Sequence, residues 1–244
     1  MIMVKRVFDF LLSFLVIVLL SPLILIFSFL VFFQDFKAPF YISKRVGRDG
    51  EEFNFIKFRS MIVNADLSGI DSTSENDIRI TFTGMLMRKY KIDEIPQLVH
   101  VILGKMSLVG PRPNVRRDVN IYTEEEKLLL TVRPGITDFS SIVFSDEGKI
   151  LSGSENPDLK YNQVIRPWKS RLGLFYIEKS GLLLDTALLL ITFIAIINKN
   201  YALFLISKLL SRLNAKEDLI EVCKRNKPLI PHPPPGSNEV VLER

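Results

Sequence analysis

The sequence contains very little cysteine or histidine. Its 244 residues include one cysteine, Cys223, and two histidines, His100 and His232. A single cysteine excludes an internal disulfide and suits a reducing compartment. One cysteine and two histidines are also too few for a zinc centre built from the usual sulfur and nitrogen ligands. No internal repeat is visible along the chain.

Hydrophobic residues, by contrast, make up 48% of the chain, which is high for a soluble enzyme. The formal net charge is +5 at pH 7. A cationic balance favours anionic partners, which include membrane lipid, nucleotides, phosphates and nucleic acid. The length fits one compact domain with appendages.

The longest hydrophobic run covers residues 7–33 and contains one charged residue, Asp9. About 20 apolar residues span a bilayer, so the run is long enough for a membrane helix, and it is too long for a cleavable signal. Ser21 and Pro22 lie in its middle, where proline removes a helical hydrogen bond. Basic residues flank both ends, and positive flanks favour the cytoplasm. We therefore predict a re-entrant helix-break-helix, with a tilted, kinked spanning helix as the alternative.

A β-hairpin is predicted next, from strands over residues 40–43 and 52–61 joined by an Asp49-Gly50 turn. Lys57 and Arg59 share one face of the second strand. The two cations could bind a diphosphate, or they could be solvated charges of an edge strand, and the sequence favours neither. The polar stretch 64–81 predicts a loop or lid.

Residues 85–113 concentrate the chemistry of the chain. Two short helices are predicted, the first with Met85, Leu86 and Tyr90 facing inward and the second with an apolar stripe over 98–102. Asp93 is predicted at the start of the second helix, where the dipole favours a carboxylate and also attracts phosphate. A carboxylate and a phosphate repel each other unless a cation lies between them, which suggests Mg²⁺. The alternative is that Asp93 caps a helix and Glu94 is a solvated acid.

Arg112 is held between two prolines, which fix the backbone on both sides. Its guanidinium is therefore held in a fixed direction, and such a group is suited to bind a phosphate through two hydrogen bonds. A surface turn that happens to contain an arginine is the alternative.

The remaining chain is read as membrane-associated. Residues 161–179 mix aromatic and basic side chains, which predicts a helix at the bilayer interface. Residues 182–197 form an apolar helix with Asp185, which we expect either to face the active site or to pair with an arginine. An amphipathic segment over 201–213 and a proline-rich stretch over 228–244 follow, and the latter predicts disorder.

Taken together, these motifs resemble the bacterial sugar transferase family of small monotopic phosphoglycosyl transferases. The resemblance covers residues 5–197 in order. Its motifs are KR at 5–6, SP at 21–22, RVG at 45–47, KFRSM at 57–61, DEIPQL at 93–98, GKMSLVGPRP at 104–113, RPGIT at 133–137 and LD at 184–185.

The resemblance implies an α+β, mostly helical fold. Residues 1–36 would be a membrane-embedded re-entrant helical hairpin, residues 37–198 a cytoplasmic catalytic domain with a β-hairpin and amphipathic interfacial helices, and residues 199–244 an amphipathic helix with a Pro-rich, disordered tail. The protein would lie at the cytoplasmic face of the bacterial inner membrane. Its expected partners are a UDP-sugar, a polyprenyl phosphate, inner-membrane lipid and a second copy of the chain, with no nucleic acid.

The implied reaction moves a sugar-1-phosphate from a UDP-sugar to a polyprenyl phosphate, usually undecaprenyl phosphate, and releases UMP. Such a step begins polysaccharide, capsule, O-antigen or glycoprotein-glycan assembly. By the resemblance, Asp93 is the nucleophile that carries the sugar-phosphate covalently. Glu94 assists, and Mg²⁺ is the cofactor, bound at Asp93 and Glu94. The implied phosphate-binding residues and supporting acid are Lys57, Arg59, Arg88, Arg112, Arg133 and Asp185.

Three positions depart from the family pattern. Lys105 stands where an aspartate is usual, His100 where asparagine is frequent, and residues 138–141 read DFSS rather than a Gly and Gln pattern. None of these touches the acidic pair, so the departures leave the chemistry intact and the sugar open. The alternative function is a non-catalytic membrane scaffold of the same fold, and a nucleic-acid-binding protein is disfavoured because no base-reading motif is present.

Overall fold

The computed structural model describes residues 2–65 and 77–243. Most of the predicted polar loop, at residues 66–76, lies outside the described residues. The first helices are α1 (Ile2–Asp35), α2 (Phe82–Lys89), α3 (Leu98–Ile102), α4 (Arg116–Val119), α5 (Glu124–Lys127) and α6 (Phe139–Val143). The later helices are α7 (Glu147–Leu151), α8 (Pro157–Lys160), α9 (Arg166–Lys179), α10 (Leu182–Ile197), α11 (Lys199–Arg212) and α12 (Glu217–Lys224). The strands are β1 (Phe40–Val46), β2 (Glu52–Phe58), β3 (Ser107–Val109) and β4 (Gly135–Thr137).

Helix α1 passes through Pro22 without interruption, so the predicted helix break is not found. Pro22 has no N–H for the carbonyl of Val18, one helical turn earlier. The hydroxyl of Ser21 donates to that carbonyl at 2.8 Å, which replaces the missing bond. The Ser-Pro pair therefore keeps the helix continuous, and the re-entrant path through the membrane stays a prediction.

Helix α1 is bound to the rest of the chain near both of its ends. Near its start, Lys5 pairs with Asp185 at 2.5 Å and Asp9 accepts a hydrogen bond from Ser107 at 2.7 Å. At its end, Asp35 forms a bidentate ion pair with Arg59.

The opposite face of α1 is apolar and exposed. By length and composition α1 could cross a membrane, and only 11% of its most apolar 18-residue stretch is buried against the rest of the protein. The exposed side chains on this face include Phe10, Phe14, Leu15, Leu19, Leu25, Phe29 and Phe33.

The structure confirms the predicted β-hairpin and adds a second, parallel strand pair that was not predicted. Strands β1 and β2 form the expected antiparallel hairpin, and Asp49 and Gly50 both adopt positive φ in its turn. Strands β3 and β4 pair in parallel, with Ser107 opposite Gly135. A Cβ on Gly135 would lie 2.1 Å from the nitrogen of Gly110, so this close approach requires glycine.

Helix α2 faces the opposite way from the prediction. Met87 is fully buried, whereas Met85, Leu86 and Tyr90 are exposed. Gly84 sets this orientation because its backbone lies directly against Ser60, where a Cβ would be 1.9 Å from the Ser60 oxygen. The inward prediction for these three side chains is therefore wrong.

Helix α9 lies in the main core, so its predicted place at the bilayer interface is not confirmed. Trp168, Leu172 and Tyr176 are buried in the main hydrophobic cluster. Arg166 is also buried and forms an ion pair with buried Glu126. Two of the cations that suggested lipid headgroups, Arg166 and Lys169, are therefore paired with acids from other elements, Glu126 and Glu147.

The C-terminal segment is ordered against the domain, which differs from the predicted disordered tail. The backbone N–H of His232 donates to the Gln163 carbonyl at 2.9 Å, and the side chain of Gln163 donates to the Val241 carbonyl at 2.8 Å. The His232 ring lies edge-on to Trp168, with ring centroids 4.5 Å apart. Proline-rich composition predicts disorder because it offers few core residues, but here proline carbonyls accept hydrogen bonds from Thr123 and Arg171.

Deleting residues 231–244 is therefore expected to destabilise the protein. The deletion removes four hydrogen bonds of about 1 kcal/mol each and one ring contact, partly offset by regained chain entropy. We expect the Tm in detergent to fall by about 5 to 10 °C. Leu242→Ala, at an exposed position, is the control and should leave the Tm unchanged. An unchanged Tm in the deletion variant would show that the segment contributes no stability.

Candidate active site

A short helical turn over Ile92–Gln97 carries the acidic pair, and α3 continues it. Lys91 precedes the turn with a φ of 59°, which redirects the chain after α2. The turn and α3 lie against β2, where the ring nitrogen Nε2 of His100 accepts a hydrogen bond from the backbone N–H of Ile56 at 3.0 Å. This bond fixes the helical segment against the strand that carries Lys57.

Asp93 is in the first turn of this segment, as predicted, but it does not cap a helix. Its side chain is 7% exposed, and its Oδ1 has no hydrogen-bond partner among the described residues. Burial, followed by the negative charge of Glu94, raises the pKa of the Asp93 carboxyl, against the opposing effect of Lys57, Lys91 and Arg88. The helix cap is Lys91, so the capping alternative for Asp93 is not supported. A buried carboxylate with a raised pKa that makes no hydrogen bond to the protein is a candidate catalytic group.

Glu94 is held by Arg112. The guanidinium donates two hydrogen bonds to the Glu94 carboxylate, at 2.8 and 3.0 Å, and a third to the carbonyl of Ile136 at 2.8 Å. Burial on its own would raise the pKa of Glu94, but Arg112, Lys91 and Lys57 together lower it to about 2. Glu94 is therefore ionised at neutral pH. Strand β3 lies just before Arg112 in the sequence and β4 contains Ile136, so the β3–β4 pair fixes the position of the guanidinium.

Lys57 and Arg88 supply positive charge near Asp93. Lys57 is half-buried. Burial lowers the pKa of its ammonium to about 8, an effect that Asp93 opposes and that Arg45 and Arg88 reinforce. Arg88 is half-buried at the end of α2, and its guanidinium makes no hydrogen bond within the described part of the chain. Both cations are thus available to an anionic ligand beside Asp93.

The lowered pKa of Lys57 predicts a pH dependence. As the pH rises through about 8, the ammonium loses its charge and with it its attraction for phosphate. We expect kcat/KM for the phosphate-bearing substrate to fall above this pH. Lys57→Arg should remove the fall, because arginine stays charged. The same alkaline fall in Lys57→Arg would assign it to another group.

Three predicted site residues lie elsewhere. Arg59 is buried and bound to Asp35, and it also donates to the carbonyl of Ala38 at 2.9 Å, so it anchors α1 instead of facing Asp93. Arg59 therefore does not form a phosphate-binding pair with Lys57, and it lies just beyond the end of β2 at Phe58. Arg133 donates to the carbonyl of Gly104 at 2.9 Å, beside the Arg6 side chain of α1.

Asp185 also faces away from the acidic pair. Its carboxylate accepts a hydrogen bond from the Tyr176 hydroxyl at 2.6 Å and pairs with Lys5 at 2.5 Å. The expectation that it turns toward the active site is therefore not confirmed. The alternative, an ion pair with an arginine, is confirmed as an ion pair, but the partner is a lysine. Tyr176 and Lys5 also donate to the carbonyl of Val109, at the end of β3. Asp185 thus connects the start of α1 to the strand that leads to Arg112.

The predicted magnesium site fits these residues only in part. Within residues 2–65 and 77–243, no group of three or more His, Cys, Asp or Glu side chains could hold a metal. Asp93 offers a carboxylate, but both oxygens of Glu94 are occupied by Arg112. Mg²⁺ commonly takes one or two protein carboxylates and completes its shell with phosphate oxygens and water. The residues therefore fit a magnesium ion that Asp93 holds together with a bound diphosphate.

The sequence interpretation did not identify Lys91, Arg45 or Gln97 as site residues. The charge of Lys91 lowers the pKa of both carboxyl groups. Its position depends on a positive φ that the sequence does not predict. Arg45 lies on β1 opposite Phe53 and influences Lys57, which only the strand register reveals. Gln97 lies on the same short turn as Asp93, and its complete burial is visible only in the structure.

Comparisons with known proteins identify the family to which the chain is similar. The profile of the family described as "Bacterial sugar transferase" matches residues 1–199. The exopolysaccharide production protein ExoY of Sinorhizobium fredii is 37% identical over 148 residues, covering 54% of this chain and 66% of that protein. The UDP-N-acetylgalactosamine-undecaprenyl-phosphate N-acetylgalactosaminephosphotransferase of Aeromonas hydrophila is 36% identical over 143 residues, covering 57% of this chain and 34% of that protein.

The undecaprenyl-phosphate galactose phosphotransferase of Salmonella typhimurium is 36% identical over 148 residues, covering 54% of this chain and 31% of that protein. The chain therefore spans less than two thirds of the length of these relatives. The family profile includes the acidic pair, Arg112 and all of α1, whereas α11, α12 and the C-terminal segment follow it.

Proposed function

The chain belongs to the bacterial sugar transferase family, and we propose that it is a phosphoglycosyl transferase that moves a sugar-1-phosphate from a UDP-sugar to a polyprenyl phosphate. The observation that carries this proposal is the buried, unpartnered carboxylate of Asp93 beside two cations that are free to bind phosphate. The names of two relatives add undecaprenyl phosphate as the acceptor class. The expected product is a lipid-linked diphosphosugar that begins glycan assembly.

The reaction would proceed in two displacements at one phosphorus atom. An Asp93 oxygen attacks the β-phosphorus of the UDP-sugar, the new O–P bond forms, and the bond to the bridging oxygen breaks, so that UMP leaves with the electron pair. An oxygen of the polyprenyl phosphate then attacks the same phosphorus and releases the Asp93 carboxylate. Because Asp93 is buried and its ionised form is disfavoured in the free protein, bound cations and phosphate-binding side chains would favour the reactive anion.

The surrounding side chains would bind and neutralise the diphosphate. Lys57 and Arg88 would contact phosphate oxygens. Arg112 is fixed by Glu94 and by the Ile136 carbonyl, and the N–H groups that these two do not use would donate to the same phosphate. Glu94 would thus act mainly by positioning Arg112. A magnesium ion held by Asp93 and the diphosphate would supply further charge neutralisation at the phosphorus.

The contacts of α1 support a position on one face of the membrane. Its links near Asp9 and at Asp35 lie 26 residues apart, about 40 Å along a helix, which exceeds the roughly 30 Å of bilayer hydrocarbon. Both links nevertheless attach to one domain, so a helix that crossed the bilayer upright would carry one of them to the far side. We infer that both ends of α1 face the cytoplasm and that its exposed apolar face enters the membrane.

Cysteine labelling tests this topology. Met3→Cys and Asn238→Cys, examined in cells with a membrane-impermeant maleimide, should both react only after the inner membrane is opened. Native Cys223 is fully buried, and burial raises the pKa of its thiol, so it should give little background. Labelling of residue 3 in sealed cells, with residue 238 protected, would favour a spanning helix.

The reaction itself is tested by UMP release from protein in nanodiscs with Mg²⁺, undecaprenyl phosphate and a panel of UDP-sugars. Release with one sugar and formation of the lipid-linked product would support the activity and identify the donor. Release of UMP without acceptor lipid, in an amount equal to the enzyme, would favour the covalent intermediate over single-step transfer. Folded protein that releases no UMP with any donor would favour the scaffold alternative.

A further inference from the structure

Unpartnered polar atoms are concentrated at two residues of the candidate active site. Within the described residues, five buried side-chain nitrogen and oxygen atoms lack a hydrogen-bond partner, and three of them belong to Asp93 and Gln97. Gln97 is 0% exposed, and both its Oε1 and its Nε2 are unpartnered. Buried polar atoms are nearly always hydrogen-bonded, so an amide with neither atom satisfied requires an explanation.

Gln97 and Asp93 belong to the same short helical segment. Both lie on the 3₁₀ turn Ile92–Gln97, which runs directly into α3, so the two residues are separated by little more than one turn. His100 meets β2 through its bond to the Ile56 backbone, and the Asp93 charge acts on Lys57, the next residue of the same strand. Gln97 is buried on the segment between these two contacts, which hold the segment against β2 on either side of it.

We propose that Gln97 is a positioning residue whose side-chain N–H donates a hydrogen bond to Oδ1 of Asp93 when the enzyme is ready to react. Both groups are buried on the same six-residue turn, and the three rotatable torsions of a glutamine side chain allow its amide to approach the Asp93 carboxylate. It would hold one carboxylate oxygen and direct the other at the phosphorus. A carboxylate accepts hydrogen bonds at about four lone-pair positions, which leaves room for a cation on the same group.

This role also explains why a buried amide is left unsatisfied in the free protein. An apolar side chain of similar volume would fill the same space without unpartnered polar atoms, and such a replacement is often neutral or stabilising. Retaining glutamine therefore favours function at the expense of stability, as strained and unsatisfied groups at active sites commonly do. The proposal rests on the proposed function, because it assigns Gln97 to the Asp93 displacement.

Gln97→Met tests the proposal, with single-turnover UMP release in nanodiscs and the Tm as paired measurements. We expect the rate of UMP release to fall about ten- to a hundredfold, the loss typical of one hydrogen bond to a charged group, with KM for the UDP-sugar within about threefold of wild type. We expect the Tm to stay unchanged or to rise. Gln97→Glu, which keeps an acceptor oxygen but loses the donor, should be at least as slow.

Gln163→Met is the matched control, since Gln163 uses its amide to bind the Val241 carbonyl far along the chain. It should lower the Tm and leave UMP release unchanged. A Gln97→Met variant with wild-type UMP release would overturn the proposal, as would a Tm that falls in step with the rate. Restored activity in Gln97→Glu would show that the donor is not needed and would also overturn it. Wild-type protein that releases no UMP would instead overturn the proposed function.

Discussion

Asp93→Asn should reduce sugar-phosphate transfer about a thousandfold or more, because the amide cannot act as the nucleophile that forms the covalent intermediate. Asparagine has nearly the same shape as aspartate, so the change removes charge and nucleophilicity and little else. UMP release should disappear both with and without acceptor lipid. The measurement is UMP release in nanodiscs, with the donor sugar identified for the wild type.

The same substitution should not destabilise the protein. Burial and Glu94 raise the folded-state pKa of Asp93 above its ordinary value, so the folded protein binds the proton more tightly than the unfolded chain does. The ionised form therefore costs stability above the ordinary pKa, and a neutral asparagine removes that cost. We expect the Tm at pH 7 to be equal to or higher than that of the wild type.

Asp146→Asn is the control for the same chemical change elsewhere. Asp146 pairs with Lys199 at 2.6 Å and with Arg225 at 3.1 Å, so its loss should lower the Tm while transfer continues. Residual UMP release near the wild-type rate in Asp93→Asn would assign the nucleophile elsewhere. Loss of transfer with retained exchange of labelled UMP into the UDP-sugar would place Asp93 in the second displacement only.

The parts of this fold that follow from local chemistry were predicted correctly. The Asp49-Gly50 turn determines the hairpin, and the apolar stripe from Leu98 determines α3, because each depends on neighbours a few residues away. The acidic pair and Arg112 were identified from motifs, and the structure brings Arg112 and Glu94 into direct contact. The catalytic roles themselves stay predictions.

The errors concern partners that are distant in the sequence. Arg166 was assigned to lipid, but it pairs with Glu126, 40 residues earlier, and Asp185 pairs with Lys5, 180 residues earlier. A buried charge and an interfacial charge look alike until the fold supplies the partner. The continuity of α1 was missed for a subtler reason, since the Ser21 hydroxyl replaces the hydrogen bond that Pro22 cannot make.

Arg112→Met should both inactivate and destabilise the protein, because it leaves the half-buried Glu94 carboxylate without its partner. In the wild type the pKa of Glu94 is about 2 against an ordinary 4.5, so its ionised form stabilises the fold above pH 4.5, and this stabilisation is lost as the pH falls toward 2. Without Arg112, burial raises the pKa of Glu94. We expect the free energy of unfolding at pH 7 to fall by about 2 to 3 kcal/mol, which is less than the loss for a fully buried ion pair because both side chains are partly exposed.

Measurements at several pH values and a second substitution separate the loss of stability from the loss of activity in Arg112→Met. The difference in stability between wild type and Arg112→Met should be largest at neutral pH and should narrow as the pH falls through 4.5, where protonation neutralises Glu94 in the variant. The double variant Arg112→Met with Glu94→Gln should recover most of the stability at pH 7, because no unpaired charge remains, yet transfer should stay lost because the phosphate-binding guanidinium is absent.

Arg116→Met provides the surface comparison, since Arg116 pairs with Glu52 at 2.8 Å in an exposed position. Its removal should change stability by less than about 1 kcal/mol. If the double variant regained transfer along with stability, Arg112 would serve only to balance the charge of Glu94, and phosphate binding would fall to Lys57 and Arg88. Stable but inactive protein would instead assign Arg112 to the substrate, held by Glu94 in the position that the diphosphate requires.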